Sequence, residues 1–243
     1  MGSGLLRRFP FPALPQASAG SDRPASAHET PWPSPAEFCH GLLTVEPFEQ
    51  ELRERGVRWV AGLDEVGRGA LFGPVLAGAV ILDPQRPIEG LDDSKKLTPA
   101  QRSAAFSAID ARARDWSVGL ASAPEIDRMN ILQATHLAMR RALAALRVTP
   151  EHLLVDALVV EQVDCEQTAI IRGDARCESI AAASIVAKCA RDALIEGYRR
   201  TVRGYGLAHN MGYGTEEHRS AILRLGFSEF HRKTFRVQGS LPF

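Results

Sequence analysis

Residues 57–83 read VRWVAGLDEVGRGALFGPVLAGAVILD, and this stretch decides the fold. Two runs dense in Val, Leu and Ile, at 57–64 and 73–83, predict two strands joined by a glycine turn. Asp64 and Glu65 end the first run, although acids are normally kept off buried strands because an unpaired charge is costly to bury. Their position therefore predicts a functional site where the first strand ends.

The rest of the chain alternates between short apolar runs and segments with helical spacing. At Thr98 a capping residue is followed by proline, which predicts the start of a helix. Five short strands with helices between and after them predict an α/β domain with a mixed five-stranded sheet flanked by helices. The further strands are predicted at 116–122, 151–157 and 167–174, and the helices at about 98–114, 131–146, 178–200 and 216–225.

The two ends of the chain differ in composition from its middle. Residues 1–37 are dense in Pro, Ala, Ser and Gly, which predicts a disordered arm, with an organelle transit peptide as the alternative. Residues 38–56 predict a short amphipathic lead-in helix. We expect the folded domain to cover 57–236 and to leave a short tail at 237–243.

Composition indicates a soluble protein without a membrane segment. The net charge is +0, so no overall basic field marks a nucleic-acid binder, although Arg and His residues after 197 leave room for a local basic face. The longest apolar run, near 71–82, is too short to span a bilayer, and no secretory signal precedes it. The four cysteines form no C-x-x-C pair and are expected to be reduced, as in a cytoplasmic protein. Nothing in the sequence suggests an obligate oligomer, so we expect a monomer.

Four acids share one kind of position, at or just past the end of an apolar run: Asp64, Glu65, Asp156 and Asp174. Sites in α/β sheets form at this edge. Clustered carboxylates cannot all stay ionised without cations between them, and their hard oxygens suit Mg²⁺ or Mn²⁺. Two such ions roughly 3.5–4 Å apart would clamp the attacking water and the leaving oxygen of a phosphodiester. The alternative is that the acids only form turns and cap helices.

Adjacent side chains on a regular strand point to opposite faces, so Asp64 and Glu65 are not expected to meet by strand geometry alone. The glycine turn that follows can bring Glu65 back towards the site, by its side chain or its main-chain oxygen.

Six segments follow one another over roughly residues 57–236: AGLDEVGRGALFGPVLAGAVIL, GLDDSKKL, EIDRMNILQATHLAMRRAL, LLVD, GDARCESIAAASIVAKCARD and GYGTEEH. Together, and in this order, they resemble bacterial ribonuclease HII. The resemblance implies an RNase H-like fold with a small helical C-terminal part. It also implies hydrolysis of the RNA strand in RNA–DNA hybrids, and incision 5′ to a single ribonucleotide in duplex DNA, leaving 3′-hydroxyl and 5′-phosphate ends.

The resemblance assigns the four acids Asp64, Glu65, Asp156 and Asp174 to the family's metal-binding positions, with two Mn²⁺ or Mg²⁺ ions. Gly67, Arg68 and Gly69 match its G-R-G loop, which senses the ribose 2′-hydroxyl largely through backbone groups. The alternative for the glycines is that they simply turn the chain. Tyr213 matches the family tyrosine that packs on the sugar at the RNA–DNA junction.

The remaining substrate contacts also follow from the resemblance. Ser94, Lys95 and Lys96 look like phosphate contacts, although a lysine pair on a loop is usually just solvated. Asn130 and Thr135 match positions near the substrate, with helix capping as the alternative for Asn130. Lys188, Arg191 and Asp192 lie near one face of the long helix, where they position a phosphate or brace the site.

The chain departs from the family pattern in two places. Ala157 stands where the family has glycine, which is tolerable unless the backbone needs a positive φ. Asn210 and Met211 replace a His and a Lys before the tyrosine, and His209 lies one residue too early to take the histidine's place. Losing that lysine is expected to weaken phosphate contact and the salt dependence of binding.

The last residues of the chain suggest a partner. Gln238, Leu241 and Phe243 fit the Q-x-x-L-x-F pattern of short peptides that dock on bacterial sliding clamps. The alternative is a terminus that packs or frays.

Three classes of function remain open. The first is a metal-dependent endoribonuclease that acts on RNA–DNA junctions. The second is a binder of hybrids without turnover, against which the intact set of four acids argues. The third is another two-metal phosphodiesterase of the same fold, such as a Holliday-junction resolvase or a transposase-like enzyme. Against the third stand the G-R-G loop and Tyr213, since neither is needed unless a ribose is sensed.

Overall fold

The computed structural model describes residues 46–236. The predicted arm at 1–37 and the clamp-binding peptide at 238–243 lie outside the described residues, as does the first part of the predicted lead-in segment. The described part of that segment contains a short helix, α1, at Phe48–Glu54.

A mixed five-stranded sheet forms the centre of the domain, which confirms the predicted fold class. The strand order is β3-β2-β1-β4-β5. β1 pairs antiparallel with β2 and β2 with β3, whereas β4 runs parallel to both β1 and β5. The strands are β1 Val60–Val66, β2 Val75–Ile81, β3 Asp115–Ala121, β4 His152–Asp156 and β5 Glu166–Ile170.

Within residues 46–236, six further helices and one 3₁₀ turn agree with the sequence predictions to different degrees. Thr98 caps the first of them with a capping box to Gln101, as its Thr-Pro start predicts. Two short helices were not predicted, because each is seven residues or fewer and carries little periodicity: Ala123–Met129 and Leu207–Asn210. The helices are α2 Pro99–Arg112, α3 Ala123–Met129, α4 Ile131–Ala145, α5 Glu178–Thr201, α6 Leu207–Asn210 and α7 Glu216–Leu225.

The helices cover both faces of the sheet. On one face α5 and α2 pack over β2, with Leu76, Val80 and Ile109 in their core. On the other face α4 and α3 pack over the strands around Leu63 and Met139. These two layers exclude water from both sides of β1 and β2, so the strands read as continuous apolar runs.

Helix α5 lies unusually close to the sheet. A methyl group on Gly78 of β2 would collide with the carbonyl oxygen of Ala183 in α5, so glycine is required there. Ser184, Lys188 and Arg191 recur on α5 at the spacing of one helical face. The close contact therefore carries these three polar residues over the end of β1.

Two predicted strand ends are wrong. β1 continues to Val66, so Asp64 and Glu65 lie inside the strand, because its ladder with β2 extends past them. β5 ends at Ile170, and Asp174 lies in a separate 3₁₀ turn at Gly173–Ala175. The chain leaves the sheet at Arg172, whose φ of 56° is incompatible with an extended strand.

A small helical C-terminal part packs against the turn between β1 and β2. Phe72 of this turn is buried with Tyr205 and Ile222. Two isolated β-bridges, Ala70↔Tyr213 and Phe72↔His231, join the turn to this part.

None of the helices within residues 46–236 combines the length and apolar composition that crossing a bilayer requires.

Candidate active site

Strand register brings the first and third acids together. Leu63 pairs with Val155 in the parallel ladder of β1 and β4, so the next residues, Asp64 and Asp156, lie side by side at one edge. Asp156 is the last residue of β4, as predicted. The Gly173 N–H donates to the Asp156 carboxylate at 2.7 Å, which ties the 3₁₀ turn carrying Asp174 to the same edge.

The two carboxylate oxygens of Glu65 have different surroundings. Its Oε1 accepts from Arg68 Nη1 at 3.2 Å, while its Oε2 is buried without a hydrogen-bond partner among the described residues. The Glu65 N–H donates to Asp64 Oδ1 at 2.7 Å. The charges of Asp64 and Asp156 both lie within electrostatic range of Glu65, so this carboxylate stays near the others although Glu65 follows Asp64 inside β1.

Crowding of the acids perturbs their protonation. Burial, followed by the charges of Glu65 and Asp156, raises the pKa of Asp64 well above its usual value. Burial also raises the pKa of Glu65, against the opposing charge of Arg68, and it raises the pKa of Asp156. The three carboxylates therefore favour protonation unless a cation compensates them.

Lys95 supplies a cation at this edge. Its ammonium lies 3.2 Å from Asp174 Oδ2 and 3.8 Å from Asp93 Oδ1. Burial acts against its charged form, but the hydrogen bond to Asp174 and the nearby acids raise the pKa of Lys95. The residue predicted to contact phosphate thus pairs with a predicted metal ligand, and Asp93 is a fifth acid that the sequence analysis missed although it adjoins Ser94.

The donor set fits divalent cations. It consists of hard carboxylate oxygens, it leaves Glu65 Oε2 orphaned, and it already attracts the Lys95 ammonium as a stand-in cation. No group of three or more His, Cys, Asp or Glu side chains between residues 46 and 236 is arranged to hold an ion as the side chains stand. Rotation of the carboxylates and release of Lys95 would be needed to complete a site.

Ser94 and Ser184 form a buried pair behind Asp64. Their hydroxyl oxygens lie 2.7 Å apart, and the Ser184 hydroxyl donates to Asp64. Ser94, predicted as a phosphate contact, is buried in this structure and supports Asp64 instead. Ser184 was missed, although its signal was a single hydroxyl in the apolar run of α5. Lys96, the other predicted contact, is exposed and lies 3.1 Å from Asp92.

The G-R-G loop packs against the protein at Gly67 and is open at Gly69. Gly67 has a φ of 88°, and a methyl group there would collide with Arg191 Nε. At Gly69, by contrast, a methyl group would meet nothing within 4 Å, so the backbone faces open space. The Arg68 carbonyl accepts from Arg232 Nη1 at 2.8 Å. The loop therefore has a fixed base and an accessible outer edge at Gly69.

Two buried arginines form this base. Arg191 donates to the Met211 carbonyl at 3.0 Å, and its guanidinium lies 4.9 Å from the Tyr213 ring centroid. The sequence left two roles open for Arg191, positioning a phosphate or bracing the site, and these contacts correspond to bracing. Arg232 donates to the Gly73 carbonyl at 2.9 Å, and burial lowers its pKa to about 9. Sequence analysis missed Arg232 because it looked like one more charge in a basic tail.

Tyr213 lies beside the open edge of the loop. Its side chain is 36% exposed, and its backbone bridges Ala70, the residue after Gly69. This places an accessible aromatic ring next to an accessible stretch of backbone, which is the geometry needed to contact a sugar from two sides.

Three other predicted contacts have structural partners. Lys188 Nζ lies 2.6 Å from Asp192 Oδ1. Asn130, with a φ of 71°, caps α4 by accepting from the Leu132 N–H at 2.9 Å. Thr135 is buried and donates to the carbonyl of Ile131.

The two departures from the family pattern have visible consequences. Ala157 has a φ of 53°, so the backbone does need the positive φ that glycine adopts freely. Asn210 is buried, donates to the Tyr205 carbonyl at 2.7 Å and accepts from the Gly212 N–H at 2.8 Å. It therefore shapes the turn that carries Tyr213.

Sequence comparison finds relatives over most of the chain. The family model for ribonuclease HII matches residues 61–238. A ribonuclease HII of Moorella thermoacetica is 49% identical over 189 residues, which cover 78% of this chain and 92% of the relative. A ribonuclease HII of Paracoccus denitrificans is 51% identical over 189 residues, covering 77% of this chain and 90% of the relative.

Solved structures share the fold. The ribonuclease H2 of Pyrococcus horikoshii OT3 matches with a TM-score of 0.61 and 31% identity, over 74% of this chain and 95% of that one. The RNase HII of Archaeoglobus fulgidus, solved with PCNA, matches with a TM-score of 0.63 and 24% identity, over 74% and 96%. Bst-RNase HIII, solved with Mn²⁺, matches with a TM-score of 0.58 and 21% identity, over 88% and 75%. Because the family model covers well over half of the chain and the relatives are about half identical over most of their length, this chain belongs to the ribonuclease HII family of nucleases.

Proposed function

We propose that this protein hydrolyses the RNA strand of RNA–DNA hybrids and incises duplex DNA on the 5′ side of a single embedded ribonucleotide. The products would carry 3′-hydroxyl and 5′-phosphate ends. The observation that carries the proposal is the adjacency of three features at one edge of the sheet. These are the crowded acids, the open backbone at Gly69 and the half-exposed ring of Tyr213.

Asp64, Glu65, Asp156 and Asp174 would hold two divalent ions, Mg²⁺ or Mn²⁺. When bound, the ions would activate water for in-line attack and stabilise the leaving 3′-oxygen. Support comes from the raised pKa of Asp64, which reflects burial and then the nearby charges of Glu65 and Asp156, and from the Lys95 ammonium held against Asp174. The Mn²⁺ complex of Bst-RNase HIII, a protein of the same fold, also favours a divalent ion.

The chain's own residues would orient the reaction. The Ser184 hydroxyl and the Glu65 N–H both donate to Asp64, which fixes the direction of its carboxylate. Loss of the Asp174 partner would free Lys95 to reach a substrate phosphate, the role first predicted for it. Backbone groups at Gly69 would contact the ribose 2′-hydroxyl, and Tyr213 would pack on the sugar at the junction.

The test is cleavage of a labelled DNA duplex that carries one ribonucleotide, beside an all-DNA control, with Mg²⁺, with Mn²⁺ and with chelator. We expect a metal-dependent cut immediately 5′ to the ribonucleotide and an intact control. Binding without a cut in any metal would indicate a hybrid binder, and cutting of the all-DNA duplex would indicate another two-metal phosphodiesterase. Either outcome would contradict the proposal.

We also propose that the tail docks on a sliding clamp through Gln238, Leu241 and Phe243. The PCNA complex of the archaeal RNase HII gives this proposal a precedent in a related protein. Deletion of 238–243 should abolish binding to the purified clamp and leave cleavage of a short duplex unchanged. Unaltered clamp binding after the deletion would refute this partner.

The protein is further proposed to act as a cytoplasmic monomer in the removal of ribonucleotides from DNA. The free thiols of Cys165, Cys177 and Cys189 favour a reducing compartment. Light scattering at several protein concentrations should give the monomer mass throughout.

A further inference from the structure

A pair of buried histidines lies directly behind Tyr213. His218 is on α7 and His231 is in the C-terminal segment, and both are fully buried. Their Nε2 atoms lie 3.1 Å apart, within hydrogen-bond distance. His218 Nδ1 lies 2.9 Å from the Tyr213 carbonyl oxygen, and the Ser228 N–H donates to His231 Nδ1 at 2.9 Å. One continuous chain of contacts thus runs from Ser228 to Tyr213.

The end partners determine where each proton sits. A carbonyl only accepts, so His218 must carry its proton on Nδ1 and present a bare Nε2. His231 accepts from the Ser228 N–H at Nδ1, so its proton must be on Nε2. The His231 Nε2–H then donates to His218 Nε2, and every bond is satisfied with both rings neutral.

The surroundings keep both rings neutral. The His231 ring centroid lies 4.9 Å from that of Phe72 and 4.6 Å from that of Tyr205. Burial lowers the pKa of His218, and burial together with the neighbouring His218 lowers the pKa of His231 to about 4. A second proton would place two N–H groups face to face, so the pair is stable only in opposite tautomers.

The same histidine pair spans both bridges of the loop. Tyr213 bridges Ala70, and His231 bridges Phe72, so the two histidines connect the two bridged positions on either side of residue 71. Movement of His218 would be transmitted to the Tyr213 carbonyl, and from there to the position of the ring relative to Gly69.

We propose that His218 and His231 are positioning residues that hold Tyr213 in register with the G-R-G loop and so set the preference for a single ribonucleotide over a continuous hybrid. This inference rests on the proposed function, because it assigns Tyr213 to the sugar at the junction. Neither histidine touches substrate in this scheme.

Two substitutions of His218 separate its contact with Tyr213 from its contact with His231. In His218→Asn the amide replaces Nδ1 and keeps the bond to Tyr213, whereas in His218→Gln it replaces Nε2 and loses that bond. We expect His218→Gln to lower the ratio of kcat/KM on a single ribonucleotide to kcat/KM on a continuous hybrid by about tenfold, the effect of one hydrogen bond of ordinary strength. His218→Asn should retain the ratio.

Two controls distinguish positioning from loss of stability. His152 is also buried, at the start of β4, and its Nε2 bonds to Thr168, so His152→Leu should cost stability without changing the ratio. In a Tyr213→Ala background, His218→Gln should have no further effect on the ratio, because the two changes act on one contact. An effect that persists without the Tyr213 ring would overturn the inference.

Imidazole nitrogen NMR on the full chain tests the arrangement without activity. We expect one histidine protonated on Nδ1 and its partner on Nε2, with a coupling across the Nε2 pair. Finding both in the same tautomer would also overturn the inference. A wild type that does not cut at a single ribonucleotide would overturn the proposed function and with it this role of Tyr213. A cutting wild type whose ratio is unchanged in His218→Gln would overturn the inference alone.

Discussion

The two glycines of the loop should respond in opposite ways to the same substitution. Gly67 has a φ of 88°, which costs an alanine about 1–2 kcal/mol, and the added methyl would displace Arg191 from below the loop. Displacement of that buried guanidinium from the Met211 carbonyl adds about 1–3 kcal/mol. We therefore expect Gly67→Ala to lower the free energy of unfolding by about 3 kcal/mol, or roughly 6–12 °C in Tm for a domain of this size.

Gly69→Ala should leave the fold intact. Its φ is not in the positive region and its methyl meets nothing within 4 Å, so a stability change within about 1 kcal/mol is expected, in either direction. The methyl does occupy the open space above the loop where a ribose would approach. Incision at a single ribonucleotide should fall by about 100-fold, the scale of an ångström-sized misplacement of substrate.

The assay pairs thermal and urea unfolding of both variants with kcat/KM on the single-ribonucleotide duplex. Wild-type stability in Gly67→Ala would refute the bracing role of Arg191. Wild-type incision by Gly69→Ala would refute the approach of a sugar to this backbone. A large stability loss in Gly69→Ala would mean that the loop edge is packed rather than open.

Three other outcomes are expected. Asp64→Asn or Asp156→Asn should abolish turnover while the Kd for the duplex stays equal or falls, because negative charge is removed from the groove; loss of binding with the fold intact would contradict the metal-ligand assignment. Ala157→Gly should raise the urea midpoint, because relief of the positive φ, about 1–2 kcal/mol, exceeds the entropy that glycine adds to the unfolded chain, and a lowered midpoint would show the φ to be unstrained. Stability should decline as the pH falls from about 6.5 to about 4, because the pKa of His231 is about 4 in the fold and about 6.5 in the unfolded chain, which therefore binds a proton that the folded ring does not. His231 contributes at most about 3 kcal/mol to this loss, so the decline should be smaller in His231→Gln; an equal decline in that variant would assign the effect to other groups, such as His218.

Local signals of known physical cause predicted much of the architecture. The apolar runs at 57–64 and 73–83 correspond to β1 and β2, and the Thr98-Pro99 start corresponds to α2. An apolar run is typical of a strand that is buried on both faces, and a Thr-Pro start is typical of a capped helix, so both elements can be predicted from neighbouring residues in the chain. The end of β5 was predicted wrongly because the chain leaves the sheet through the positive φ of Arg172. The residue preferences of arginine do not predict that conformation.

The sequence by itself determined the kinds of groups available: four acids at the ends of apolar runs, glycines around an arginine, and an aromatic residue near the C-terminus. Only the tertiary structure decided which of them meet. The parallel register of β1 and β4 sets Asp64 beside Asp156, and the approach of α5 puts Ser184 behind Asp64 and Arg191 beneath Gly67. These contacts join residues far apart in the chain, and packing selects among them by shape and buried charge, which a linear pattern does not contain.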